Sequence, residues 1–217
     1  TAASVTLTLS SIPTDSGAAA YSRITAKKTD NTILNFYNVN DIIATTNSLG
    51  AGEATFIAYE AQRAVIDQKL DVNIEKQSSF IADSNMDIRT LRVFVDGVEY
   101  GRGNSTDSEV YENNNVYFLE NVSSGFDLIF ASRLVGTKLD ANSEVVVSYL
   151  VSSGESGNGA SNFSFPTVPS IPTSATTSIS GGSIKTATSS GGVSKANIDE
   201  LKLTIPRIFA SQKDDAV

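Results

Sequence analysis

The sequence predicts a mainly β protein with minor α structure (α+β class): an antiparallel β-sandwich-like domain, an extended Gly/Ser/Pro-rich arm, and short C-terminal helices. Three observations carry this. Apolar residues alternate with polar ones over short, regularly spaced runs. Turn signals separate those runs. After Leu150 the composition changes abruptly, from VVVSYL to VSSGESGNG. The expected boundaries are 1–160 for the β-rich domain, 161–196 for the arm or linker, and 197–217 for a helical segment that begins a further domain. The chain starts at Thr1 without an initiator Met, and is therefore expected to be a fragment or a processed chain.

The elements follow in order. In SVTLTL, Val5, Leu7 and Leu9 alternate with Thr6 and Thr8, the period of a strand with one buried face. Ile12-Pro13 ends that strand, because the residue before proline and the proline itself leave the ladder. ATFIAYEAQRAVIDQKLDVNIE is ambiguous: Ala, Glu, Gln and Arg favour helix, whereas Val65, Leu70, Val72 and Ile74 suit strands, and we read strands. In LRVFVDGVEY, Asp96-Gly97 between apolar runs is a two-residue hairpin signature, since both residues tolerate positive φ. VYFLENVSSGFDLIF reads as a second pair, Val116 to Leu119 and Phe126 to Phe130, around a Ser-Gly turn. EVVVSYL is the last strand, with Val145, Val147 and Tyr149 on one face and Val146 and Ser148 on the other.

Residues 151–196 hold only three charged residues, Glu155, Lys185 and Lys195, and three of the five prolines. That is the composition of a spacer. Phe163, Phe165, Val168 and Ile171 point instead to an arm laid along another surface. In the tail, Asn197 with Glu200 three residues on forms a capping signal, and Ile198, Leu201 and Ile205 follow at helical spacing. Pro206 breaks that helix, so two short pieces meeting at an angle are expected. The apolar residues of this tail exceed one helical stripe. That makes Ile205, Arg207, Ile208 and Phe209 candidate interface residues, with Arg207 and Phe209 as anchors.

The chemistry that the composition excludes is extensive. There is no Cys and no His, hence no thiolate, no imidazole base and no serine triad. A net charge of −8 gives no basic footprint for nucleic acid. No apolar run approaches the ~18 residues of a membrane span. DSNMD (83–87) begins like a calcium loop, but Ile88 stands where the turn needs Gly and Phe94 where Glu belongs, which leaves a polar turn. GRGN (101–104) lacks the third glycine of a dinucleotide loop. Gly181-Gly182 and Gly191-Gly192 lack the Lys-Ser/Thr of a phosphate loop and read as turns or close approaches. Two carboxylates of a glycosidase type are the one simple catalytic option, but with 24 acidic residues some pair will always look suitable, and a solvated surface is the better reading of it. Sequons stand at Asn104, Asn121 and Asn162. The expectation is no enzyme, no catalytic residue, no cofactor and no metal.

Taken in order, LRVFVDG, NVYFLENVSSGFDLIFASRLVGTKLDANSEVVVSYLVSSGESGNGAS, SISGGS and NIDELKLTIPRIFASQKDDAV resemble the baseplate wedge proteins of contractile-tailed bacteriophages, the baseplate J-like family. The likeness spans most of residues 91–217, including Gly157-Asn158-Gly159, Gly181-Gly182 and Pro206-Arg207. FASRLVG departs from the family's acidic-glycine turn, Ile205 from its small residue, and Asp214-Asp215 from a commonly basic position. The resemblance implies a structural virion protein of the tail baseplate, assembled in the host cytoplasm. It implies copies that dimerise within a larger ring around the tail hub and contact other wedge and hub proteins, with no nucleic acid and no membrane insertion. It also implies rearrangement on infection, with joints drawn from loops such as 151–162. The alternative is a secreted or surface carbohydrate-binding or adhesin module, a reading that the absence of Trp weakens.

Overall fold

The computed structural model describes residues 2–69, 77–103, 115–131, 139–140, 142–165, 169–179, 183–185 and 187–194. The first strands are β1 (Ser4–Ile12), β2 (Ser16–Ala18), β3 (Arg23–Lys27), β4 (Ile33–Asn38), β5 (Ile42–Ile43), β6 (Thr45–Thr46) and β7 (Gly52–Glu60). Next come β8 (Gln62–Lys69), β9 (Gln77–Ile81), β10 (Arg92–Val95), β11 (Val98–Arg102), β12 (Val116–Val122), β13 (Gly125–Ala131) and β14 (Glu144–Val151). The last are β15 (Ser161–Ser164), β16 (Thr177–Ser178) and β17 (Ser183–Lys185). The protein is mainly β, with curled sheets. Among the described residues the helical content is two 3-10 turns, Ile88–Thr90 and Gly154–Gly157. The expected C-terminal helices lie outside the described residues.

The chain divides into two compact units, and not at residue 160. One comprises Thr1–Glu60 with Ser153–Val217; the other is Ala61–Ser152, inserted between them.

In the first unit a sheet runs in the order β15-β3-β4-β7-β1-β17, with β6 also on β7, beside a three-stranded sheet β16-β2-β5. The alternation in β1 does what its period requires: Val5, Leu7 and Leu9 are buried and pair with Ala58, Phe56 and Ala54 of β7. Leu9, Ile12, Ala54, Ala18, Ile42 and Ile179 form a cluster whose residues come from both sheets. The stretch expected as an arm is instead part of this fold. β15 pairs with β3, β16 with β2 in parallel, and β17 with β1. Phe163 is buried, its ring edge-on to Phe36 with centroids 5.1 Å apart. Ile171 remains exposed, and Val168 lies outside the described residues. The spacer-like composition misleads because these strands are two to four residues long. They are held by backbone bonds that serine and glycine supply as well as valine does.

The inserted unit is one seven-stranded sheet, ordered β8-β14-β10-β11-β12-β13-β9. Every pairing is antiparallel except β11 with β12. It wraps a single core that includes Val93, Leu128, Phe130, Val145, Val147 and Tyr149, rather than facing a second sheet as the sandwich-like expectation had it. The curl brings the two ends of the order together: the Gln68 amide of β8 donates to Ser79 Oγ of β9. The Asp-Gly hairpin forms as read, with Asp96 at φ 50° and Gly97 at φ 80°, the positive pair that a type I′ turn demands. The second hairpin turns through Ser123-Ser124, and Gly125 opens β13. No side chain fits at Gly125, since a Cβ there would lie 2.0 Å from the Ile81 carbonyl oxygen. The ambiguous ATFIAYEAQRAVIDQK stretch is two strands, β7 and β8. In β14 the faces alternate as expected, but Ser148 on the outer face is also buried, because Arg63 Nε donates to its Oγ at 2.9 Å.

Candidate functional site

The polar groups that converge most closely lie in the first unit, where the chain re-enters it. Alternation along β7 buries Ala54, Ala58 and Glu60 on one face. Strand register therefore forces a carboxyl inward at Glu60, which is 2% exposed. Its two oxygens accept from Ser153: the backbone N–H at 3.0 Å and the hydroxyl at 2.9 Å. Since a buried acceptor without a donor is costly, this pair ties the last residue before the insertion to the first residue after it.

The Gly-rich tract that follows is bound by backbone and side-chain hydrogen bonds. Gly159 N–H donates to Ser189 O, and Ser189 N–H to Ala160 O. Ser189 Oγ donates to Gly157 O at 2.7 Å and accepts from Ala160 N–H at 2.9 Å. The Asn158 side chain acts as a third strand edge: its amide donates to Gly192 O and its oxygen accepts from Gly192 N–H. Ser190 then bridges to Ser4 of β1 in both directions. The glycines are required by geometry. A Cβ on Gly157 would sit 2.8 Å from Glu60 Cγ and from Ala3 Cβ, and one on Gly192 would sit 2.2 Å from Gly154 O. Gly191-Gly192 is thus a close backbone approach, as read, and Gly181-Gly182 lies outside the described residues.

What this knot can do chemically is hold. Its hydroxyls, amides and the Glu60 carboxyl are bound to one another, and Lys28 Nζ donates to Ser156 O at 2.8 Å from outside the tract. Elsewhere the singled-out motifs are also structural. Asp83 accepts from Asn85 N–H, and Asp87 caps the 3-10 turn by accepting from Arg89 N–H while forking the Arg89 guanidinium. The guanidinium beside Asp87 holds its carboxyl below the usual range. Gly101 and Arg102 belong to β11, and Gly103 lies under the Phe118 ring. Glu120 and Asp127 face one another across β12 and β13. Among the described residues no three His, Cys, Asp or Glu side chains gather for a metal, and no helix is long and apolar enough to cross a membrane. Asn121 and Asn162 are exposed on β12 and β15. Asn104 and the interface candidates Ile205, Arg207, Ile208 and Phe209 lie outside the described residues. Sequence reasoning missed Glu60, although the period of two from Ala54 and Ala58 was the available signal. No protein-family model matches the chain, and no curated protein matches it.

Proposed function

We propose that the chain is a structural, non-enzymatic subunit of a contractile-tail baseplate wedge, residing in the virion and self-associating around the tail hub with other wedge and hub proteins. One observation carries this reading: the ordered succession of phrases from LRVFVDG to IPRIFASQ. A Gly-Asn-Gly tract consumed by internal hydrogen bonds suits a scaffold that transmits position. In this reading Ile205, Arg207, Ile208 and Phe209 meet a neighbour.

The test is self-association of the 217-residue chain by analytical ultracentrifugation, with and without Arg207→Ala/Phe209→Ala. A loss of more than about 2 kcal/mol of association free energy, at unchanged strand content, is expected at such anchors. A wild-type chain that stays monomeric at all concentrations, or that binds glycans on an array, refutes this reading; glycan binding favours the carbohydrate-binding alternative.

A further inference from the structure

We infer that Asn158-Gly159 is a spontaneous modification site that the fold keeps shut: the Asn158 side-chain amide converts to a carboxyl only when the Gly-rich tract opens, and the conversion then stops the tract from closing again. It is the one Asn-Gly pair in the sequence. In the reaction the backbone nitrogen of Gly159 gives up its proton and attacks Cγ of Asn158. A C–N bond forms, the side-chain nitrogen leaves as ammonia, and the chain is left with a cyclic succinimide. Water then opens the ring at either carbonyl, giving aspartate or, with the main chain rerouted through Cβ, isoaspartate. Nothing besides water is consumed. Glycine favours the attack because it carries no side chain to obstruct the approach of its nitrogen.

The structure opposes both reacting groups. Gly159 N–H donates to Ser189 O at 2.9 Å, so the nitrogen cannot lose its proton without losing that bond. The Asn158 amide donates to Gly192 O at 2.9 Å, and its oxygen accepts from Gly192 N–H at 2.8 Å. Attack makes Cγ tetrahedral, whereas the paired bonds hold the amide flat against Gly192. Burial is not the shield, since Gly159 is exposed and Asn158 only half-buried. Water reaches the pair, and the hydrogen bonds hold it. The rate in the folded chain is therefore the rate of the free sequence multiplied by the fraction of time the tract is open.

The products cannot restore these bonds. An ionised carboxylate only accepts, so an aspartate at position 158 sets an oxygen against Gly192 O, where the amide donated. Isoaspartate lengthens the main chain by a methylene and carries Gly159 N–H off Ser189 O. Ser189 also holds Gly157 O and Ala160 N–H, and Ser190 beside it is bonded to Ser4 of β1. One modification thus loosens the tract at both 189 and 192, and an opening that is otherwise reversible becomes one-way.

This inference does not rest on the baseplate reading, and its test needs no partner. The folded 217-residue chain and a peptide of residues 153–163 are incubated in the same mildly alkaline buffer, and conversion at Asn158 is followed by mass spectrometry. The peptide is expected to convert at least about tenfold faster, because a modest free energy of local opening lowers the open fraction by that factor. Gly192→Ala places a Cβ 2.2 Å from Gly154 O and so drives residue 192 off Asn158; it is expected to bring the rate in the chain towards that of the peptide while the amides of β10 and β14 stay protected. The wild-type comparison decides even where that variant fails to fold. For the one-way step, chains converted at Asn158 in urea are separated by ion exchange and returned to buffer beside unconverted chains. Converted chains are expected to regain protection in β10 and β14 but not at the Ser189 and Ser190 amides. A folded wild-type chain that converts as fast as the peptide, or a folded Gly192→Ala chain that converts as slowly as the parent, overturns the shielding. Converted chains that regain full protection at Ser189 and Ser190 overturn the one-way step.

Discussion

The Glu60–Ser153 pair makes a quantitative demand. Ser153→Ala removes the hydroxyl that donates to Glu60 at 2.9 Å. The carboxyl belongs to a residue only 2% exposed, so water cannot replace that donor, and the orphaned acceptor costs about 1–3 kcal/mol. Glu60→Leu keeps the bulk that fills the space against Gly157 and Ala3 and removes both acceptors. Ser153 is itself exposed, so its freed groups turn to water, and two net hydrogen bonds at about 0.5–1.5 kcal/mol each are lost. Combining the substitutions cannot orphan an acceptor that is no longer there. The double variant is therefore expected to be no less stable than Glu60→Leu alone, a coupling of about 1–3 kcal/mol measured by the double-mutant cycle. The assay is urea unfolding of the 217-residue chain, followed by tyrosine fluorescence and circular dichroism, with amide exchange at Ser153 as the local readout. Strict additivity of the two single effects would show that the residues act independently and that no clamp exists.

Three further outcomes are expected. Gly157→Ala forces a methyl to within 2.8 Å of Glu60 Cγ and Ala3 Cβ, so it destabilises the first unit and speeds amide exchange at Ser153. Gly159→Ala, which has open space but φ 80°, costs only the backbone strain of about 1 kcal/mol, and calorimetry of the pair checks the order. Gln77 is 1% exposed and clamps Leu139, donating to its carbonyl at 3.0 Å and accepting its N–H at 2.7 Å. Gln77→Leu strands both backbone groups, an expected loss of about 2–5 kcal/mol in chemical denaturation. The Asp15 carboxyl is held below its ordinary value by the Thr176 hydroxyl, its own backbone N–H and the Thr177 hydroxyl. A depressed carboxyl stabilises above its unfolded value and loses that contribution as pH falls through the lower folded value. The protection of the Thr176 and Thr177 amides, taken relative to their intrinsic exchange rates at each pH, should therefore fall on acidification below about pH 4, and Asp15→Asn should abolish that dependence.

The parts of the fold legible in the sequence are those in which side chains enforce the backbone. SVTLTL shows its buried face because a period of two cannot be satisfied otherwise, and Asp96-Gly97 shows its turn because few residue pairs accept positive φ. The 153–194 stretch was not legible, because there the backbone does the holding. Short strands of serine, threonine and glycine carry no hydrophobic period, and of the four apolar hints in the segment Phe163 and Phe165 are the two that return to a core. The division of the chain was hidden for a related reason: β7 and β8 are separated by Ala61 alone, so no composition change marks where one unit ends. The candidate knot was half visible. Its glycines could be seen as turns or close approaches, but their partners, Ser189 and Glu60, lie far off in sequence.

The insertion also fixes an order of events during synthesis. Residues 61–152 are contiguous and can complete their sheet as soon as they leave the ribosome. β1 and β3 wait for β17 and β15, which are made only afterwards. At about 5–20 residues per second, the roughly forty residues between Ser152 and Ser190 take about 2–8 s to emerge. For those seconds three strand edges of the older half, on β1, β2 and β3, stand open after the younger unit is complete. Residues 1–60 thus close after residues 61–152, although they are made before them, and that interval is when a nascent chain is most exposed to pairing with a neighbour on the same message.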